Sequence, residues 1–219
     1  MKTKKNKRIL IWGLAAVMAF ILWTVIVKFV DVKAIGPENS SVGFATINGF
    51  VHKLIGVHMT LYNITDWLGL VPLCFILGFA LLGLTQLITR RNLFKVDLSI
   101  LILGGFYIVV LAAYLIFEYN VINYRPILVE GVLEASYPSS TTLLVMCVMP
   151  TAVMQLNGRI KNEKLSKAVS CVLIAFTAFM VIGRLASGVH WLTDIIGGAI
   201  LSAGLVMIYY AATALVEKK

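Results

Sequence analysis

A histidine and an aspartate stand four residues apart near the C-terminal end of the chain, at His190 and Asp194. Residues four apart share one face of a helix, so we expect the carboxylate to hold the imidazole in one tautomer and to stabilise its charged form. One ring nitrogen is then free to attack an electrophile or to bind a metal. Because only one histidine and one carboxylate stand at ligand spacing, the pattern favours nucleophilic attack over a metal site.

Two arginines accompany this pair. Arg184 lies six residues before His190, across a short turn containing Gly188, and Arg125 precedes Pro126 further upstream. The guanidinium fork of arginine is suited to phosphate oxygens. A single arginine would be expected only to anchor a helix end, whereas two arginines beside an oriented histidine indicate phosphoryl transfer.

A polar cluster formed by Pro138, Ser139, Ser140, Thr141 and Thr142 leads into an apolar run. A helix N-terminus favours an anion, so Ser139 and the backbone amides at this point are expected to add neutral donors to the site. The histidine would then be the nucleophile, forming a phosphohistidine that water hydrolyses.

The elements that must position these residues are membrane helices. The 219 residues are 60% hydrophobic and 13% charged, whereas soluble domains are about 45–50% apolar and about 25% charged. This composition excludes a water-soluble domain, and it excludes disorder, which needs low hydrophobicity and high charge. A net charge of +9 would suit nucleic-acid binding in a soluble protein. In a membrane protein the positions of the cations report topology instead, so we expect the bilayer as partner and no nucleic acid.

A span of about 30 Å of hydrocarbon takes roughly 20 residues, and six uncharged stretches come near or above this length, the fifth being short and expected to gain from Lys167 extending to the surface at its start. They cover residues 9–27, 67–89, 98–117, 135–158, 168–183 and 195–216. The first is longer than the apolar region of a signal peptide, usually about 7–15 residues, so we expect it to remain as a helix. The sequence therefore predicts an all-α, polytopic membrane protein with six transmembrane helices.

The segment between the first two spans predicts an amphipathic helix at the outer membrane surface. Its apolar residues recur at helical spacing and are Phe44, Ile47, Phe50, Val51, Leu54 and Ile55. The two histidines of this segment, His52 and His58, are expected to be interfacial rather than catalytic.

The lysines and arginines are distributed unevenly across the membrane. With the N-terminus in the cytoplasm, 14 of the 19 lie on the cytoplasmic side. The five on the other side are Lys28, Lys33, Lys53, Arg125 and Arg184. By the positive-inside rule we expect a multi-pass protein of the cell membrane with both termini cytoplasmic and the active site extracytoplasmic.

Three segments in order carry a family resemblance. They are Arg125-Pro126, then Pro138-Ser139-Ser140-Thr141, then Arg184-x5-His190-x3-Asp194. This order resembles the signatures of the type 2 phosphatidic acid phosphatase family, which belongs to the superfamily of vanadium haloperoxidases and bacterial acid phosphatases. The resemblance implies one membrane-embedded phosphatase-like domain over residues 1–219, with a core at about residues 67–216. It also implies hydrolysis of a lipid phosphate or diphosphate with no required metal or other cofactor.

The resemblance assigns roles residue by residue. His190 resembles the nucleophile and Asp194 its orienting partner. The positions that resemble phosphate ligands are Arg125, Ser139, Ser140 through its backbone, and Arg184. Four positions depart from the family pattern: Glu118 replaces a lysine, Ser140 a glycine, Thr141 a histidine and Gly183 a serine. Thr141 thus stands where the family has its general acid.

The change at Thr141 bears on the substrate. A general acid contributes about 10²–10⁴-fold, and a phosphate leaving group with a second pKa near roughly 6 needs it less than an alkoxide does. We therefore expect a preference for a diphosphate such as a polyprenyl diphosphate, unless Glu118, Glu130 or Glu134 supplies the proton. Two alternatives remain: a non-catalytic protein that binds a lipid phosphate headgroup, and a transporter. Paired broken segments of the inverted-repeat kind, which would favour a transporter, are not evident in the sequence.

Overall fold

The computed structural model describes the backbone of residues 2–216 and the side chains of residues 4–215. Its elements are α1 (Lys2–Phe29), β1 (Lys33–Ala34), β2 (Ser41–Val42), α2 (Ala45–Ile55), α3 (Met59–Leu68), α4 (Leu70–Arg90), α5 (Leu98–Tyr119), α6 (Ser140–Asn157), α7 (Glu163–Ala186) and α8 (Leu192–Val216). The two strands pair antiparallel in a small hairpin. The side chains of Lys2, Lys218 and Lys219, counted above among the cytoplasmic cations, lie outside the described part.

Six helical segments within residues 2–216 are long and apolar enough to cross a membrane. They are Lys4–Phe29, Met59–Arg90, Leu98–Tyr119, Ser140–Asn157, Glu163–Ala186 and Leu192–Leu215. The prediction of an all-α protein with six transmembrane helices is therefore confirmed. The fifth helix, α7, is longer than the uncharged stretch: it begins at Glu163, after Asn162, whose Oδ1 accepts the N–H of Leu165 at 3.1 Å. Lys164 and Lys167 lie exposed in its first turns, where long side chains can extend to the membrane surface.

The predicted amphipathic helix corresponds to α2. Its apolar side chains Ile47, Phe50 and Leu54 are exposed, while Ala45 and Asn48 are buried against the bundle. Helix α3 follows directly and was not predicted as a separate element. It meets α4 at Gly69, whose backbone remains in the right-handed helical region, so α3 and α4 together make a longer segment than one crossing needs.

Helix α6 is the central element of the bundle. It packs against α7 and α8, α1 runs along α8, α4 and α5 cover α6, and α3 packs on α7. The buried side chains at the centre of α6 include Leu143, Val145, Cys147, Val148 and Met149, none more than 1% exposed. This core fixes the N-terminal end of α6, where the predicted site begins.

Three loops meet at one end of the bundle. The backbone N–H of Ser139 donates to Asp194 O at 3.1 Å, which joins the start of α6 to the start of α8. The N–H of His58 donates to Ser187 O at 2.9 Å, which joins the α2–α3 connection to the loop before α8. At Gly188 φ is +69°, and a Cβ would lie 1.9 Å from the carbonyl oxygen of Gly56, so this approach requires glycine.

Candidate active site

His190 lies in the loop before α8, and its side chain is almost completely buried. Ring nitrogen Nδ1 is 3.0 Å from Ser136 Oγ, which in turn lies 2.5 Å from Asp194 Oδ2. An ionised carboxylate only accepts, and a serine has one hydroxyl proton. Ser136 therefore donates to Asp194 and accepts from Nδ1–H of His190, which places the imidazole lone pair on Nε2.

The expectation that His190 and Asp194 share a helix face is wrong. Helix α8 begins at Leu192, so Asp194 stands in its first turn, where its Oδ2 accepts the N–H of Trp191 at 2.9 Å. An acidic side chain at this position reaches back to the N-cap amide, which leaves His190 outside the helix. The direct distance from His190 Nδ1 to Asp194 Oδ2 is 3.9 Å, and Ser136 bridges the two.

Burial controls the protonation of His190. Removal from water lowers the pKa of His190 to about 4, the charges of Arg125 and Arg184 lower it as well, and Asp194 opposes them. Nε2 has no hydrogen-bond partner in the described part of the chain. At neutral pH the imidazole is therefore neutral, with a free lone pair at the atom expected to attack.

Arg184, near the end of α7, is 2% exposed. Its Nη2 donates to Asp66 Oδ1 at 2.8 Å and to Thr141 Oγ1 at 2.7 Å. Its Nε and Nη1 are buried and, among the residues described, have no partner. A buried N–H without an acceptor is costly, so these two groups are donors suited to an anion.

Arg125 approaches the same place from the loop between α5 and α6. Its Nε lies 3.0 Å from Glu134 Oε2, and its Nη1 donates to the Tyr62 hydroxyl at 3.4 Å. The Tyr62 ring lies close to both guanidinium groups, 5.7 Å from that of Arg125 and 4.8 Å from that of Arg184. The aromatic ring stabilises the two neighbouring cations, which together form a positive pocket.

The start of α6 adds backbone donors. Ser139 is the N-cap, fully buried, and its Oγ accepts the N–H of Thr142 at 3.4 Å. The N–H groups of Ser140 and Thr141 lie in the first turn, where a helix supplies no acceptor. The helix end thus contributes positive potential beside Thr141, which already contacts Arg184.

The structure accounts for one of the departures from the family pattern and locates a second. Gly183 packs on α3, where a Cβ would lie 2.8 Å from Thr65 Cγ2, so this contact leaves no room for a serine. Glu118 is exposed on α5 and lies at the mouth of a small pocket also lined by Ser136. Of the other glutamates considered as proton donors, Glu130 is exposed and Glu134 is paired with Arg125.

The two histidines predicted to be interfacial lie on either side of the α2–α3 connection. His52 is half-buried, with its ring centroid 5.4 Å from that of Trp191, and burial lowers its pKa. His58 is exposed, and its Nε2 lies 2.9 Å from Ile55 O.

Four residues of the site escaped prediction: Tyr62, Asp66, Asn123 and Ser136. Asn123 Nδ2 lies 3.5 Å from Asp194 Oδ1, behind the bridge formed by Ser136. Tyr62 and Asp66 are four apart on α3, a spacing that places them on one helix face. This spacing and the position of a carboxylate next to an apolar span are the sequence signals for the two residues. They can be used only once α3 is recognised as a helix.

An apolar cavity of about 870 Å³ lies between α4, α5 and α6. Its walls are mostly aliphatic, with Leu73, Leu103 and Leu144 among them. One end is polar, where Asp66, Ser140 and Thr141 line it. Because Asp66 and Thr141 are the side chains that contact Arg184, the cavity meets the arginine pocket at this end.

This chain resembles known proteins in sequence and in fold. Residues 117–217, which contain Arg125, the start of α6, Arg184 and His190, match the model of the PAP2 superfamily. This part of the chain is thus similar in sequence to the PAP2 superfamily, as the three segments predicted. The crystal structure of a transmembrane PAP2-type phosphatidylglycerolphosphate phosphatase from Bacillus subtilis is similar, with a TM-score of 0.59 and 18% sequence identity over 94% of this chain and 97% of that one. A comparison with curated protein sequences gives no match.

The fold is thus similar to that of a transmembrane PAP2-type phosphatase. Among the side chains described, no group of three or more His, Cys, Asp or Glu residues is placed to hold a metal ion.

Proposed function

We propose that this protein hydrolyses a lipid phosphate or diphosphate through a phosphohistidine formed on His190, with a polyprenyl diphosphate as the favoured substrate. The observation that carries the proposal is the buried Nε2 of His190, which no described residue engages. This nitrogen carries the lone pair of a neutral ring. Arg125 and Arg184 are close enough for their charges to lower the pKa of that ring. A nucleophile next to unpartnered cationic donors is the arrangement that phosphoryl transfer requires.

The phosphoryl group would bind Nε and Nη1 of Arg184, the Arg125 guanidinium and the amides at the start of α6. These donors stabilise charge on the equatorial oxygens as Nε2 attacks phosphorus. Asp194, acting through Ser136, holds the imidazole with Nδ1 protonated, and it stabilises the positive charge that develops on the ring. Water then attacks the phosphohistidine and releases phosphate.

The apolar cavity supports a lipid as substrate. It lies between helices that span the membrane and reaches the arginine pocket at one end, so a lipid chain can occupy it while the phosphate binds Arg184. Burial of the apolar surface of the lipid chain in this cavity would stabilise the complex by about 25 cal/mol per Å². The distribution of cations favours an extracytoplasmic site, because the side chains of Arg90 and Arg159 both pair with Asp97 at the opposite end of the bundle.

The preference for a diphosphate follows from Thr141. Its hydroxyl is engaged with Arg184 and provides no acidic proton for a leaving alkoxide, whereas a departing phosphate monoester is a better leaving group. Purified protein that hydrolyses phosphatidic acid faster than a polyprenyl diphosphate would refute the preference.

The test is phosphate release by purified protein in detergent from phosphatidic acid, phosphatidylglycerol phosphate and undecaprenyl diphosphate, with and without a chelator. We expect activity that survives the chelator and disappears in His190→Ala. His58→Ala, which removes an exposed histidine at the same end of the bundle, is the matched control and should retain activity. Full activity in His190→Ala would refute the assigned nucleophile.

A non-catalytic phosphate-binding protein is the second candidate, and the specific observation in its favour is the same Thr141. It predicts saturable binding of the three lipids without turnover of any. The assay therefore separates the two candidates directly.

A further inference from the structure

Asp66 stands where the arginine pocket and the apolar cavity meet. Its Oδ1 accepts from Arg184 Nη2 at 2.8 Å, and the same nitrogen donates to Thr141 Oγ1 at 2.7 Å. Both side chains also line the polar end of the cavity. The Asp66 side chain is 56% exposed, so it is within reach of water.

A lipid phosphate bound in this site would have one oxygen at the boundary between the arginine pocket and the apolar cavity. Its phosphorus must lie near His190 and Arg184, and its hydrocarbon chain must lie in the cavity. The oxygen that leaves with the lipid connects these two parts, so it must lie beside the side chains that touch both. A leaving alkoxide needs a proton at this oxygen.

The other titratable groups around the pocket are less well placed to supply that proton. Asp194 is buried on the Nδ1 side of His190 and already accepts from Ser136 and Trp191. Glu134 is paired with Arg125 on the loop before α6. Within the described residues, Asp66 is the one carboxyl group that both contacts an arginine of the pocket and lines the cavity.

We propose that Asp66 is the proton donor to the leaving oxygen. This inference rests on the phosphatase function proposed above, and it extends the reaction to lipid monophosphates, for whose leaving oxygen Thr141 provides no proton. The phosphate would bind the unpartnered Nε and Nη1 of Arg184, which leaves Asp66, on Nη2, beside the bridging oxygen. Asp66 then gives its proton to the bridging oxygen. The Thr141 hydroxyl can donate a hydrogen bond there but does not give up its proton.

The step balances as follows. The Nε2 lone pair of His190 forms the N–P bond, the bond from phosphorus to the bridging oxygen breaks, and that oxygen takes its electron pair and the proton of Asp66. The products are a phosphohistidine, a neutral lipid alcohol from a monophosphate, and the Asp66 carboxylate. In the second step water attacks phosphorus, its proton returns to Asp66, the N–P bond breaks, and inorganic phosphate leaves.

The test compares leaving groups in Asp66→Asn, which keeps the shape of the side chain and removes the proton. We expect the kcat for a lipid monophosphate to fall by about 10²–10⁴-fold. The kcat for a polyprenyl diphosphate and for p-nitrophenyl phosphate should fall by about tenfold or less, because their leaving groups need little protonation. Glu130→Gln, the same chemical change at an exposed glutamate, should leave all three rates unchanged. Asp66→Glu should restore part of the monophosphate rate.

An equal loss on all three substrates in Asp66→Asn would show that Asp66 only positions Arg184, and it would overturn the proposal. If that variant does not fold, a series of alkyl and aryl phosphates on the unmodified protein decides instead. A weak dependence of rate on the acidity of the leaving alcohol supports a proton donor, and a steep dependence contradicts one. Absence of turnover on every substrate by the unmodified protein would refute the proposed function, and is therefore distinguishable from failure of Asp66 alone.

Discussion

Each end of the helix bundle carries a group of charged side chains, and the two groups differ in how far their hydrogen bonds are completed. At one end, Asp97 accepts from Arg90 Nη1 and from Gln86 Nε2, each at 2.8 Å, and its own N–H donates to Gln86 Oε1 at 2.8 Å. The hydrogen bond from Arg90, followed by that from Gln86, lowers the pKa of Asp97. This group ties the α4–α5 connection to its neighbours.

At the other end, the charges are buried and partly unpaired. Arg184 Nε and Nη1 and His190 Nε2 have no partner among the described residues. A buried polar group left unsatisfied costs about 1–3 kcal/mol, so a fold retains three of them where a ligand supplies the missing partners. The comparison teaches that the two ends differ less in their arginines than in the number of buried polar atoms that lack a partner among the described residues.

Exchanging an arginine at each end gives the largest expected contrast. Arg184→Gln should lower kcat/KM by about 10²–10³-fold, because one donor to transition-state charge is typically worth that much. Arg159→Gln removes a half-exposed arginine that bonds Gln155 O at 2.9 Å and lies 3.8 Å from Asp97. It should change kcat/KM less than twofold and lower stability by about 1 kcal/mol or less. Comparable losses of activity in the two variants would remove the distinction between the ends.

Removal of the Ser136 bridge between His190 and Asp194 should have a smaller effect on activity. Ser136→Ala removes the acceptor of Nδ1–H, so the lone pair is no longer confined to Nε2, and we expect kcat to fall about 10–100-fold, as for other partners that orient an imidazole. KM should not change, and Ser136→Thr should recover most of the rate. An unchanged kcat in Ser136→Ala would show that the carboxylate acts without the bridge.

The same site makes a prediction about pH. Because burial lowers the pKa of His190 to about 4, the neutral imidazole persists well below the ordinary histidine pKa of about 6.5. As the pH falls, kcat/KM should decline only as it approaches that lower value, since protonation removes the attacking lone pair. A profile that falls with a midpoint near 6.5 would contradict the burial of the nucleophile.

The smallest expected effect concerns the cavity. Gly104 lines it, and a side chain added there would meet open space. Gly104→Leu should therefore raise KM for a long-chain lipid by roughly tenfold, in line with about 1–3 kcal/mol for a methylene-sized misfit, and leave p-nitrophenyl phosphate unaffected. Gly105→Leu is the matched control, since Gly105 also faces open space but does not line the cavity. Equal effects of the two variants would argue against a chain-binding cavity.

The sequence predicted what depends on composition and local spacing. The six spans follow from hydropathy, and residue type and order predict Arg125, Ser139, Arg184 and His190 as site residues. The relation of His190 to Asp194 was predicted incorrectly because it depends on where α8 begins, and the capping of Trp191 by Asp194 places that start at Leu192.

Ser136 and Asp66 depend on tertiary contacts that no local pattern contains. Ser136 lies in a loop without helical periodicity, and it reaches His190 only because the starts of α6 and α8 are joined at Ser139. Asp66 belongs to α3, which contacts Arg184 because α3 packs on α7 at Gly183. A glycine at that position carries no signal of its own in the sequence.

The central claim is that His190 carries the phosphoryl group. The most direct test is rapid quenching of a single turnover with a polyprenyl diphosphate labelled in its terminal phosphate. The proposed mechanism predicts an acid-labile, alkali-stable label on His190 that forms before phosphate is released and is absent from His190→Ala. Release of phosphate without such an intermediate, or a label on another residue, would contradict the claim.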